Sequence, residues 1–200
     1  ETQKRHILTI EDPIEFEFNH TQNSIIHQRE VKRDTHSFSS ALKAALREDP
    51  DIIYIGEMRD LETIQLAITA AETGHLVLGT LHTSSAAKTV ERIVDVFPAD
   101  QQEQARLQVS TSLAGIMSQT LCKNKEGKRS LAYEILINTP AIANLIRERK
   151  VSQIYSQLQT GSNEGMNTLE QCLQQLIDNN KISRDEAIVK ASNPKLLIQS

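Results

Sequence analysis

Short apolar runs alternate along this chain with stretches whose apolar positions recur every three or four residues. His6-Ile7-Leu8-Thr9-Ile10 reads as a strand that breaks at Asp12-Pro13. A second β-like region covers 14–18 and then 25–31, and irregular antiparallel pieces are expected there. Phe38, Ala41, Leu42, Ala45 and Leu46 share one face of a helix over 37–47. Asp49-Pro50-Asp51 stops that helix and leads into Ile52-Ile53-Tyr54-Ile55, a run apolar enough for a parallel strand buried on both faces. Asp60 is placed to cap a helix over 61–73, which Gly74 closes. A further buried strand is expected over 76–81. Ser84 and Ser85 then cap a helix over 86–97, ended by Pro98. This order of strand, helix, strand and helix predicts a parallel sheet with right-handed crossovers.

The pattern changes after residue 100. A long helix rich in Gln and Ser is expected over 100–119, followed by a hairpin with strands at 120–122 and 131–137 and a turn at 124–128. Helices follow at 141–149, 151–159, 168–178 and 184–191, the last with a capping box of Ser183 and Glu186. No internal repeat or low-complexity segment appears. The chain therefore reads as an α/β core over 1–139 followed by a helical subdomain over 140–200.

Composition narrows the function classes. The 200 residues hold 26 acidic and 22 basic side chains, a net charge of −4, with no dense basic run. A duplex-DNA binder must neutralise several phosphates, so nucleic acid is not an expected partner. No apolar run approaches the roughly 18 residues of a transmembrane helix, and no signal peptide opens the chain. Two isolated cysteines, Cys122 and Cys172, suit buried thiols in a reducing cytosol rather than a disulfide scaffold or a structural zinc site. The chain does not begin with Met and runs at once into an apolar stretch, so a fragment of a longer protein is expected.

Ligands of open parallel sheets bind beyond the carboxyl ends of the strands. The residues there are Glu11-Asp12 after the first strand, Gly56-Glu57-Met58-Arg59-Asp60 after the second, and His82-Thr83-Ser84 after the third. Carboxylates at such a rim can hold Mg²⁺ through water or orient an attacking water, and an imidazole can meet a terminal phosphate. His75 precedes the third strand and His82 follows it, about 23 Å apart along a straight strand. His82 thus belongs to the rim, and His75 to the Gly74 turn, the far edge or a subunit contact. The one Gly-Lys pair, Gly127-Lys128, is followed by Arg in a hairpin turn, so it is no phosphate loop. The rim reads as the second half of a nucleotide site. A metal-dependent hydrolase using Glu11, Asp12, Glu57 and His82 is a weaker reading, because their spacing lacks two close histidines and a carboxylate.

Leu8 to Glu15, with Glu11-Asp12-Pro13-Ile14-Glu15, resembles the Asp box of secretion-type hexameric ATPases. Asp49 to Asp60 resembles their Walker B segment, and Thr73-Gly74-His75 through His82-Thr83 their His box. Gln28-Arg29-Glu30-Val31 and the stretch from Thr69 to His75 are most similar to the pilus-retraction (twitching-motility, PilT-like) branch. The resemblance implies a RecA-like core, here without its phosphate-loop part, and a homohexamer that hydrolyses ATP with Mg²⁺. It implies work on pilus disassembly with inner-membrane machinery, by a cytoplasmic protein peripheral to that membrane. Glu11 would position the hydrolytic water, Glu57 would act on Mg²⁺ through water, and His82 would approach the terminal phosphate. Asp12, Arg59, His75 and Thr83 would line the nucleotide site, with His75 less direct. The extension and secretion branches typically carry a four-cysteine zinc insert, which Cys122 alone cannot build. The 141–148 segment resembles a helical motif of the retraction branch, with Ala143 where Arg is usual. Without the phosphate loop the fragment is expected to be inactive alone. The alternative is a non-catalytic paralogue or interaction module of a pilus or type II secretion ATPase assembly.

Overall fold

The computed structural model describes residues 3–18 and 23–198. Contacts divide the chain into two compact units. The first runs to His82 and takes in Val96–Pro98; the second comprises Thr83–Asp95 and the chain from Ala99 onward. This division differs from the expected boundary at 139/140, whose outer ends at 1–2 and 199–200 lie outside the described residues.

In the first unit, β1 (His6–Glu11), β2 (Ile25–Glu30), β3 (Ile52–Ile55) and β4 (Leu76–Gly79) form one sheet in the order β2-β1-β3-β4. All three pairings are parallel. α1 (Phe38–Ala45) starts on Ser37, whose side chain accepts from the Ser40 N–H. α2 (Leu61–Glu72) starts on Asp60, which accepts from the Thr63 N–H at 2.9 Å. The apolar faces of these helices meet the two central strands. Leu8, Ile10, Ile53 and Ile55 are fully buried with Leu42, Ala45 and Ala70. The expected antiparallel pieces are not formed. β2 pairs parallel to β1 from His6↔Ile25 to Glu11↔Glu30, and 14–18 contain no strand. β4 is also not buried: it is an edge strand ending at Gly79, with Leu76 and Leu78 each 49% exposed. An apolar run of four residues looks the same at an edge as in a sheet interior.

In the second unit, α3 (Ala86–Asp95) and α4 (Gln102–Ser112) precede β5 (Gly115–Lys123) and β6 (Arg129–Ile137), an antiparallel hairpin. The expected helix over 100–119 thus stops at Ser112. Beyond it the burial alternates, with Met117, Gln119 and Leu121 exposed and Cys122 on the inner face, which is the strand period. α5 (Pro140–Arg147), α6 (Ile154–Thr160), α7 (Leu169–Asp178), α8 (Arg184–Lys190) and α9 (Lys195–Ile198) complete the unit. Cys122 and Ala132 of the hairpin share a core with Leu169, Cys172 and Leu173 of α7 and Ala187 of α8. That shared core keeps the hairpin with the helices. Both cysteines are free and buried. The Ser183 box is half made: its hydroxyl accepts from the Glu186 N–H, but Glu186 Oε1 accepts instead from the Lys123 N–H at 2.8 Å. A complete box forms at Thr168 and Gln171. Ala143, where the resemblance leads Arg to be expected, faces inward and is 9% exposed. Among the described residues no helix is long and apolar enough to cross a membrane.

Candidate functional site

The sheet order brings the carboxyl ends of β1, β3 and β4 side by side. Ile10 pairs with Ile55, and Ile55 with Gly79. Past these rungs the main chain stays stitched. Gly56 N–H donates to Ile10 O at 2.7 Å, Met58 N–H to Thr80 O at 3.0 Å, and Thr80 Oγ1 to Gly56 O. A Cβ on Gly56 would sit 3.0 Å from Ile10 O and 3.3 Å from Glu11 Cα, so the close approach of the two strand ends depends on glycine there.

Glu57 is the centre of this rim. One carboxylate oxygen meets both Arg59 Nε and, at 2.9 Å, His82 Nε2. The Glu57 side chain is 17% exposed, whereas those of Arg59 and His82 are 76% and 83% exposed. The anion is sheltered and its two partners reach into water. Arg59 is the main reason that the Glu57 carboxyl is held below the ordinary glutamate range, with His82 adding to it. Arg59 is pushed up in return by Glu57, and Asp12 contributes from a distance.

Glu11, the last residue of β1, is fixed through one oxygen. Its Oε1 accepts from Thr9 Oγ1 at 2.6 Å and from Gln28 Nε2 at 3.1 Å. Thr9 lies two residues back on the same face of the strand. Gln28 also donates to Phe16 O and accepts from the Phe18 N–H, and Glu30 accepts from the Ile14 N–H. The loop after β1 is thereby laid along β2. On that loop Asp12 is exposed and lies 3.9 Å from Lys32 Nζ. Glu15 is exposed and makes no hydrogen bond or ion pair with the described residues. It still reaches Tyr54 electrostatically: the Tyr54 hydroxyl is pushed up first by burial, then by Glu11 and Glu15.

His75 lies at the opposite end of β4. Its Nδ1 stands 3.0 Å from Ala70 O and 3.3 Å from Thr73 Oγ1, so it closes the α2–β4 turn, one of the roles expected for it. Thr83 opens the second unit and shares a hydrogen bond with Thr89 Oγ1 at 2.7 Å. Of the seven expected site residues, the rim of the first unit gathers Glu11, Asp12, Glu57, Arg59 and His82. Sequence reasoning missed Thr9 and Gln28 as the holders of Glu11. The period of two along β1 pointed to Thr9; only the β1–β2 pairing brings in Gln28. Among the described residues no group of three or more His, Cys, Asp or Glu side chains forms a metal cage.

Residues 1–193 match the family described as Type II/IV secretion system protein. The chain is 59% identical over 194 residues to the type IV pilus retractation ATPase PilT of Pseudomonas aeruginosa, covering 97% of this chain and 56% of that protein. It is 57% identical to a twitching motility protein of Neisseria gonorrhoeae, covering 96% and 52% respectively. The crystal structure of the pilus retraction motor PilT with bound ADP superposes with a TM-score of 0.92 at 52% identity, over 100% of this chain and 56% of that one. The chain spans about half the length of the curated relatives it matches. Sequence and fold agree over nearly all of these 200 residues: the chain belongs to the type II/IV secretion system protein family.

Proposed function

We propose that the protein containing this chain is the subunit of a homohexameric motor that hydrolyses ATP to drive type IV pilus retraction. The observation that carries the reading is the rim group itself: Glu11 and Glu57 at adjacent strand ends, with His82 and Arg59 on Glu57, in a chain 59% identical to a pilus retraction ATPase. Glu11 orients the hydrolytic water. Thr9 and Gln28 bind its Oε1 and fix the rotamer, leaving Oε2 for the water. Glu57 would help to hold Mg²⁺ through water, while one of its oxygens is bound by Arg59 and His82. The residues fit that ion: Mg²⁺ is commonly held by one or two carboxylates with waters and substrate phosphates, not by a cage. Bound Mg²⁺ would offset the charge of the phosphates during transfer. His82, exposed and tethered to Glu57, approaches the terminal phosphate. Asp12 and Arg59 line the nucleotide, and His75 acts indirectly through the turn that it closes. These 200 residues hold no Gly-rich loop ending in Gly-Lys-Ser/Thr, so the phosphate cradle is supplied by another segment and this chain alone is inactive. The working location is the cytoplasmic face of the inner membrane, beside the pilus machinery.

Glu11→Gln in the intact protein tests the assignment. ATP turnover is expected to fall at least about 10²-fold, the scale of losing a general base, with ADP binding retained. Glu15→Gln is the paired measurement. Turnover kept in Glu11→Gln and lost in Glu15→Gln would move the water-positioning role to the free carboxylate.

A further inference from the structure

Acidic side chains outnumber basic ones in this chain, and many of the basic ones meet a carboxylate: Arg5, Arg29, Arg33, Lys43, Arg59 and Lys150 are all ion-paired. The β5–β6 hairpin of the second unit is different. Lys123, Lys128, Arg129 and Lys190 line a single cleft of about 530 Å³ in which Glu186 is the one carboxylate. None of the four cations makes an ion pair with the described residues. The Glu186 side chain is anchored on main chain, its Oε1 accepting from the Lys123 N–H at 2.8 Å. A second hollow of about 260 Å³, between the hairpin tip and the α7–α8 connection, adds Lys125 and Lys181 against Glu126.

We propose that the cleft walled by Lys123, Lys128, Arg129 and Lys190 binds a phosphate-bearing anion. Four like charges facing one space repel one another, and an anion placed among them turns that cost into attraction. An arginine fork beside mobile ammonium groups suits tetrahedral oxyanions with several acceptor oxygens. The volume falls in the range of small-ligand sites. The tip that carries the cations is also held in shape before any ligand arrives. Asn124 N–H donates to Lys128 O at 2.9 Å. Asn124 Oδ1 accepts from the Lys128 N–H at 2.7 Å and the Glu126 N–H at 3.1 Å. Gly127 takes the turn at φ 78°. Lys125 N–H donates to Lys181 O at 3.0 Å, which fastens the tip to the α7–α8 connection. A main chain already fixed in this turn spares that part of the ordering cost of binding. Leu121, which lines the cleft, is 50% exposed and stands opposite Leu131, itself 40% exposed, in the hairpin register, giving an apolar margin beside the charge. The shared chemistry is therefore a phosphate group on a larger molecule, either a soluble polyphosphate or an anionic lipid headgroup.

The test uses the intact protein with one equivalent of ADP, so that the nucleotide site proposed above is filled while no excess ADP competes for the cleft. Tripolyphosphate is titrated calorimetrically, and phosphatidylcholine vesicles with and without phosphatidylglycerol are used in co-sedimentation. At least one probe binds, more weakly as salt rises. Lys128→Glu with Arg129→Glu lowers its affinity by about tenfold or more, while Lys4→Glu, an exposed lysine of the first unit, leaves it unchanged. Binding of tripolyphosphate alone identifies a soluble ligand; binding of the phosphatidylglycerol vesicles identifies a headgroup. Should the double reversal alter the thermal melt, Lys123→Gln with Lys190→Gln reads the same loss through the other two cations. No binding of either probe, equal binding by the variants, or displacement of both probes by a duplex oligonucleotide at equal phosphate concentration overturns the proposal.

Discussion

Glu134 holds the start of a helix from a distance. Its Oε1 accepts from the Ala86 N–H at 2.7 Å, across 48 residues, and the side chain belongs to a residue only 6% exposed. Burial raises its carboxyl above the ordinary glutamate range; the bond from Ala86 works against that rise, and the neighbouring Glu170 adds to it. Glu170 is itself satisfied by the Tyr155 hydroxyl at 3.0 Å and the Asn193 N–H at 2.8 Å. Tyr155 is pushed up to about 12 by burial and then by Glu170. An acid whose pKa is higher folded than unfolded binds more protons in the folded state. The stability that this group contributes is then fully present below the ordinary glutamate value and is lost as pH climbs through the raised one. Urea midpoints measured over a pH series are expected to show this decline in the wild type and a flatter profile in Glu134→Gln, which keeps an acceptor for Ala86 without a charge. Glu134→Ala loses the cap and is expected to cost about 1–3 kcal/mol. An unchanged pH slope in Glu134→Gln would locate the dependence elsewhere. Glu57 has the opposite sign: its carboxyl is lowered, so what its pairing contributes is present above the ordinary value and lost as pH falls.

The junction of β1 with β3 can be tested through Gly56, with Gly79 at the end of β4 for comparison. At Gly56 an added methyl meets main chain, Ile10 O at 3.0 Å and Glu11 Cα at 3.3 Å. At Gly79 it meets the end of the Met58 side chain, at 2.5 Å from Cε, which can swing away. Gly56→Ala is expected to cost about 1–3 kcal/mol and to shift Glu11 against its neighbours, lowering ATP turnover in the intact protein. Gly79→Ala is expected to be milder on both counts. Equal effects of the two would mean that the strand ends part more easily than their hydrogen bonds suggest. The elements legible in the sequence are those with local causes: β3 between Asp51 and Gly56, α2 between Asp60 and Gly74, and the hairpin around Gly127. What stayed hidden has distant causes. β2 runs parallel because of β1, its partner 19 residues earlier at each rung. Residues 115–119 are strand because they pair with β6. The Ser183 box is only half made because Lys123 takes the Glu186 side chain. The rim followed the same division. Its carboxylates and His82 could be placed from strand ends alone, while Gln28 could not be matched to Glu11 before the sheet order was known.

Across the whole molecule, charge decides what these residues can do without help. The rim presents three carboxylates, Glu11, Asp12 and Glu57, against Arg59, which is already paired to Glu57, and His82, whose charge depends on a proton. Such a group suits a hydrated divalent cation and a positioned water, but it repels a polyphosphate. Phosphate binding normally relies on backbone N–H groups of a Gly-rich loop and a lysine, and no such loop occurs in the 200 residues. The isolated chain carrying Lys128→Glu and Arg129→Glu, which removes the second-unit cleft as a phosphate holder, is therefore expected to fold, to show no ATP hydrolysis above background and to lack stoichiometric ATP binding at micromolar concentration. The intact protein is expected to do both, with hydrolysis abolished by EDTA and restored by Mg²⁺. Calorimetric titration of each with ATP and a phosphate-release assay make the comparison. Tight ATP binding by that variant would mean that an unrecognised set of backbone amides holds the phosphates. Turnover by the intact protein that persists in EDTA would remove Glu57 from the ion-binding role, because an ion held through its waters has no tighter refuge among the described side chains.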